Sequence, residues 1–139
     1  MRHWLIKSEP TAYPFAHLVA DGRTAWTGIR NNTARLNMLA MAIGDLCLYY
    51  HSNEGKEVVG IAEVVALAYR DATAGDDPKE QRWVCVDVKP VRALARGVSL
   101  ATFKADPLLA QSELIRQSRL SVAPLTPAEF ARVLELGEG

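Results

Sequence analysis

Between Leu46 and Leu94 the chain carries three long apolar runs rich in β-branched residues, separated by polar connections that each contain a glycine. Leu46–His51 and Val58–Tyr69 flank Ser52-Asn53-Glu54-Gly55-Lys56, a hairpin-type link. The segment Val58-Val59-Gly60-Ile61-Ala62-Glu63-Val64-Val65 suits a pleated strand, and its Gly60 predicts a bulge or a close backbone approach. A third strand, Arg82–Leu94, follows a polar loop over Asp71–Gln81 and alternates Val84, Val86 and Val88 on one face. Strands joined by hairpins pair antiparallel, and these lengths suit a curled sheet or small barrel.

Shorter elements flank this block. His3–Lys7 reads as a strand stopped by Ser8-Glu9-Pro10, and Pro14 opens a helix over Phe15–Ala20 that Asp21-Gly22 closes. Trp26–Ile29 is a loop. Asn31 or Asn32 caps a helix with the apolar stripe Ala34, Leu36, Met38, Leu39 and Met41. Ser99 caps a helix through Lys104, Asp106-Pro107 starts a further turn, and Leu120–Leu125 is a closing strand. Thr126-Pro127-Ala128-Glu129 is a capping box for a last helix ending at Gly137. No linker or repeat divides the chain, so residues 1–139 are expected to form one α+β domain.

Sixteen Lys+Arg balance sixteen Asp+Glu. A nonspecific grip on long duplex requires a basic excess, so any nucleic-acid site here must be a local patch or pocket. Cys47 and Cys85 lie in strand-like apolar runs without metal-ligand spacing, and are expected to be buried thiols. No apolar run reaches the ~20 residues needed to span a bilayer, and Met1–Glu9 lacks a signal-peptide core. A reducing bacterial cytosol is the expected compartment, with no membrane partner and no metal or cofactor.

Dinucleotide, P-loop, nucleophile-elbow and zincin motifs are all absent. The unusual feature is where polar residues fall. Lys7-Ser8-Glu9 ends a buried-looking strand, Trp26 sits in a loop before Arg30-Asn31, His51-Ser52-Asn53 follows Tyr49-Tyr50, and Arg116-Gln117-Ser118-Arg119 runs into the closing strand. Strand ends and loops on a rigid scaffold are where binding groups concentrate. Together these residues supply an aromatic face, hydrogen-bonding groups and cations, the inventory for a planar polar ligand. Trp26, between Ala25 and Gly28, is expected to be only partly enclosed and to form one wall of an open pocket. Trp4 and Trp83 are expected in the core, and Tyr49-Tyr50 should put one ring inside and one outside. The rival assignment is a small enzyme or small-molecule sensor that uses Lys7, Ser8, Glu9 and His51 as an acid–base cluster, which requires mutual hydrogen-bond reach.

Several long motifs occur in order: Trp4-Leu5-Ile6-Lys7-Ser8-Glu9-Pro10, Asp21-Gly22-Arg23-Thr24-Ala25-Trp26-Thr27-Gly28-Ile29-Arg30-Asn31, Tyr50-His51-Ser52-Asn53, Gly55-Lys56-Glu57-Val58-Val59-Gly60-Ile61-Ala62-Glu63-Val64 and Arg116-Gln117-Ser118-Arg119-Leu120-Ser121-Val122. With them the chain resembles, over nearly its whole length, a stand-alone EVE domain of the PUA-like superfamily, related to YTH domains. The resemblance implies a PUA-like, curved, mainly antiparallel β-barrel flanked by short α-helices. It also implies a non-enzymatic module that binds a modified base of DNA or RNA, methylated bases first among them. The ligand-binding set it implies is Lys7, Ser8, Glu9, Trp26, Thr27, Arg30, Asn31, Tyr50, His51, Ser52, Arg119 and Ser121. Lys56 and Arg116 are expected to join as phosphate contacts. Thr27 departs from the acidic residue common in the family after this tryptophan.

Overall fold

A computed structural model describes all residues, Met1–Gly139. Six strands form one sheet: β1 (His3–Ser8), β2 (Thr24–Ala25), β3 (Leu46–His51), β4 (Glu57–Arg70), β5 (Val84–Ser99) and β6 (Val122–Leu125), in the order β2-β5-β4-β3-β1-β6. Five helices surround it: α1 (Phe15–Asp21), α2 (Asn32–Ala40), α3 (Leu100–Ala105), α4 (Glu113–Arg116) and α5 (Pro127–Glu138). No helix is long and apolar enough to cross a membrane.

The α+β class is as expected, but the sheet is open where a barrel was anticipated. The outermost strands have two residues (β2) and four (β6) and do not pair with each other. Edges this short offer too little ladder to close a barrel, and helix α2 packs against β5 and β6 instead. Pairing is antiparallel except between β1 and β3, which run parallel with Lys7 beside Tyr50 and Ser8 beside His51. That pair is separated in sequence by two helices, the crossover a parallel neighbour requires.

Gly60 fulfils both readings of its role. The β4 register slips beside it, and a Cβ there would lie 2.5 Å from Phe15 Cζ. Helix α5 starts on the expected capping box: Thr126 Oγ1 accepts from Glu129 N–H at 3.1 Å, and Glu129 Oε1 accepts from Thr126 N–H at 2.9 Å. It does not stop at Gly137, however. That glycine lies inside the helix, where a Cβ would come within 2.9 Å of Leu94 and 3.1 Å of the Arg96 carbonyl, so its missing side chain admits β5.

The core centres on Trp4, Tyr49, Phe103 and the β-strand aliphatics. Trp4 Nε1–H donates to buried Asp45, which also accepts from the Arg2 and Ala42 backbone. Two expectations need correction. On α2, Ala34 and Met38 face inward with Met41 beyond them, whereas Leu36 and Leu39 are exposed, because only the i, i+4, i+7 face meets the sheet. Tyr49 and Tyr50 are both buried, and Tyr50 borders a cleft that it lines with Leu100 and Leu114. Cys47 and Cys85 are free and buried.

Candidate functional site

The parallel register of β1 on β3 delivers Lys7 and Ser8 to one end of the sheet. Opposite them, the two-residue ladder of β2 on β5 continues into a 2.8 Å hydrogen bond from Trp26 N–H to the Val86 carbonyl. This anchors the start of the loop to the sheet and turns the Trp26 indole inward. Its ring meets Tyr49 edge-on at 5.4 Å and Tyr13 at 6.3 Å. Trp26 is consequently 7% exposed, not partly enclosed as its loop position suggested. It still lines a cleft of about 280 Å³, together with Lys7, Ser8, Tyr13, Thr24, Ala25, Thr27 and Ile29. The aromatic walls meet at a corner, and the polar lining is three hydroxyl side chains, a phenol and one ammonium, with no carboxylate.

Tyr13 is the wall that sequence reasoning missed. Its backbone N–H donates to Glu9 O at 2.9 Å, its carbonyl accepts from Tyr49 Oη at 2.5 Å, and its own hydroxyl donates to Asp21 at 2.7 Å. Burial, then the Asp21 carboxylate, holds its phenol pKa above the ordinary value. Its one sequence signal was a position directly before Pro14, which disfavours helix and leaves the residue extended.

Asp71 is the second missed residue. Fully buried at the end of β4, it accepts from Gly28 N–H at 2.8 Å, from Arg30 Nη1 at 3.0 Å, and from both Thr73 N–H and Thr73 Oγ1. Burial by itself raises a carboxyl pKa, but these hydrogen bonds outweigh it and bring Asp71 down to about 2. Arg30 is therefore committed to Asp71 and lies 5.9 Å over the Trp83 ring, outside the cleft. Trp83 is buried as expected, but beneath Arg82 and the 71–81 loop and apart from the main core.

Apart from Lys7, the remaining expected residues lie outside the Trp26 cleft. Asn31 caps α2 through Ala34 N–H at 2.9 Å and lines a second, open cleft of about 360 Å³ with Arg116, Ser118 and Arg119. Tyr50, Ser52 and Lys56 line a third, of about 170 Å³, which shares Lys7 with the first. Lys7 is a tie: its backbone N–H donates to Ser121 O at 3.0 Å and its ammonium to Ser118 O at 2.9 Å, with burial lowering its pKa. Ser121 enters through that carbonyl, and its side chain lines none of the clefts.

Glu9 accepts from Asn53 at 2.6 Å, and His51 Nε2 accepts from Phe15 N–H at 3.1 Å. His51 must therefore be neutral at Nε2. Burial lowers its pKa, against an opposing pull from Glu57. The side chains of Lys7, Ser8, Glu9 and His51 make no hydrogen bond to one another.

The EVE domain model matches residues 2–136. Thymocyte nuclear protein 1 from Homo sapiens is 33% identical over 166 residues, covering 98% of this chain and 74% of that protein. A crystal structure of a protein from Agrobacterium tumefaciens superposes with a TM-score of 0.93 at 45% identity, covering 99% of this chain and 93% of that one. Human THYN1 protein, in a crystal structure in complex with 5-methylcytosine containing DNA, superposes with a TM-score of 0.92 at 31% identity, covering 100% and 99% of the two chains.

Proposed function

The chain belongs to the EVE domain family, and on that premise we propose that it captures a modified base of nucleic acid in the cleft beside Trp26. The observation that carries this reading is the Trp26–Tyr13 corner: two aromatic rings at 74° opening on a hydroxyl-rimmed, carboxylate-free cleft. A relative of the same fold in complex with 5-methylcytosine containing DNA supports DNA as the nucleic acid and a methylated base as the ligand.

Capture begins with extrusion of the nucleotide from its stack, which costs a few kcal/mol and less from a single strand. Contact with the aromatic walls returns roughly 1–3 kcal/mol. The hydroxyls of Ser8, Thr24 and Thr27 meet the polar edge of the base. A methyl group lies against Ile29 and the rings and needs no polar partner. Arg116, Arg119 and Lys56, none of them in an ion pair, meet flanking phosphates, while Arg30 keeps its place on Asp71 and stiffens the loop. In this reading the chain binds without catalysis. The separate hydrogen-bond partners of Lys7, Glu9 and His51 support that over an acid–base cluster. Its two free, buried thiols fit work in a reducing cytosol.

The test compares affinities for oligonucleotides of one sequence with and without the modified base. Tighter binding of a methylated base is expected. Equal affinity across all common modifications overturns the proposal.

A further inference from the structure

Four clefts adjoin, three of them each sharing a wall with the one at Tyr50. Lys7 belongs to both the Trp26 cleft and the one at Tyr50, and Ser118 joins the latter to the cleft at Arg119. Lys56 and Leu100 then continue the Tyr50 cleft into a fourth, of about 310 Å³, that ends at Lys104. Sixteen acidic residues are available to this neutral chain, yet none lines any of the four. Carboxylates appear only in the fifth cleft, where Glu113 and Glu129 stand beside Arg116, the one cation it shares with the others. The four clefts hold Lys7, Lys56, Lys104, Arg116 and Arg119, and no salt bridge engages any of these cations. The arginines that do pair with carboxylates line none of them.

The arm toward Lys104 is also fixed in place. Lys56 occupies the left-handed backbone region at φ 49°, which non-glycine residues seldom adopt, and its carbonyl accepts from Leu100 N–H at 2.8 Å. That bond ties the turn carrying Lys56 to the start of α3, which carries Lys104. Tyr50, Leu100 and Leu114 line the Tyr50 cleft beside Lys7 and Lys56, and Leu100 continues into the Lys104 cleft. Apolar side chains thus accompany the ammonium groups, the combination that holds bases and phosphates of a single strand. One captured nucleotide brings phosphates only to the mouth of the Trp26 cleft, so cations as far along as Lys104 need a longer polyanion.

We propose that the strand on one side of the captured base runs past Lys7 along the cleft at Tyr50 and Lys56 to Lys104, giving the protein a directional, multi-nucleotide site. This rests on the base-capture reading. The strand is single: a net charge of zero gives no general hold on duplex.

The experiment is fluorescence anisotropy on single-stranded oligonucleotides carrying 5-methylcytosine, lengthened one nucleotide at a time on the 5′ side only or the 3′ side only. Affinity should rise roughly tenfold over the first few additions on one side and level off earlier on the other. Replacing the exposed Lys104 (K104Q) should remove the gain from the outer additions and flatten the salt slope by about 0.7 unit; K56Q/K104Q should flatten it by about twice that. Equal length dependence on both sides, or a gain and slope unchanged in K56Q/K104Q, overturns the track while a retained preference for the methylated base leaves the pocket standing. Loss of that preference in every oligonucleotide overturns the pocket, and the track with it.

Discussion

Asp71 Oδ2 and Arg30 Nη1 meet at 3.0 Å, although 41 positions separate them in sequence. The same oxygen accepts from Gly28 N–H, so one buried carboxylate fixes both ends of the turn that follows Trp26. The stiffness of the candidate pocket is thus set from the far end of β4.

Asp71→Asn keeps the shape but turns an amide N–H toward donors on one side and removes the charge that holds Arg30. A loss of roughly 1.5–3 kcal/mol in unfolding free energy is expected, measurable by urea denaturation. Affinity for a methylated oligonucleotide should fall as well, because Thr27 and Ile29 lose their anchor. Wild-type stability in the variant would show that the carboxylate contributes nothing to the fold.

Acid should act in two stages. His51 has a lowered pKa in the fold, so its neutral form is the one that stabilises: the contribution is present above the ordinary imidazole value of 6.5 and fades as pH falls through the lower folded value. Asp71, at about 2 in the fold against an ordinary 3.8, adds stability that is present above pH 4 and disappears between pH 4 and about 2. Chemical denaturation from pH 7 to 2 should show both losses. The Asp71→Asn variant should show a smaller second loss, the rest coming from Asp45, Asp87, Asp106 and Glu138, whose hydrogen bonds also hold their carboxyls below the ordinary value. His51→Gln should show a smaller first loss, the rest coming from His3, whose pKa burial also lowers.

Trp26→Ala should cost roughly 3–5 kcal/mol, as for a buried tryptophan, and so cannot isolate the ligand role. Trp26→Phe and Tyr13→Leu are the informative changes. Both keep apolar bulk, and each should weaken binding of the methylated oligonucleotide several-fold at a stability cost of about 1–2 kcal/mol. If titration shows full affinity in both, the aromatic corner is only packing.

Arg119→Gln and Arg116→Gln leave the fold untouched in circular dichroism and lower affinity for modified and unmodified strands alike. The slope of log affinity against log salt should flatten by about 0.7 unit for each. A slope equal to wild type would assign these arginines to solvent.

Gly60→Ala places a methyl group 2.5 Å from the Phe15 ring, in a packed core. Destabilisation of about 1–3 kcal/mol is expected. Thr126→Ala, which lines only the fifth cleft and none of the other four, should cost about 1 kcal/mol through the lost cap and leave oligonucleotide binding at the wild-type level. Thermal melts with and without oligonucleotide separate the two effects.

Local chemistry made most of the fold legible in the sequence. The strands β3 and β4, the Ser99 and Thr126 caps and the close approach at Gly60 follow from β-branched content, side-chain oxygens and a missing Cβ, all properties of neighbouring residues. The motif order identified the family for the same reason, since a motif is contiguous. What depended on distant segments was not legible. The sheet stays open because two short edges fail to meet. Tyr50 is buried at the edge of a cleft whose other apolar walls, Leu100 and Leu114, come from fifty or more positions later. Trp26 looked like a partly enclosed loop residue until its hydrogen bond to Val86 and its contacts with Tyr13 and Tyr49 buried it. Arg30 looked like a free ligand cation, but Asp71, at the far end of another strand, already holds it. A sequence fixes which groups are present and which local bonds they can make; only the tertiary fold decides which of them are already spent on one another and which still face a cleft.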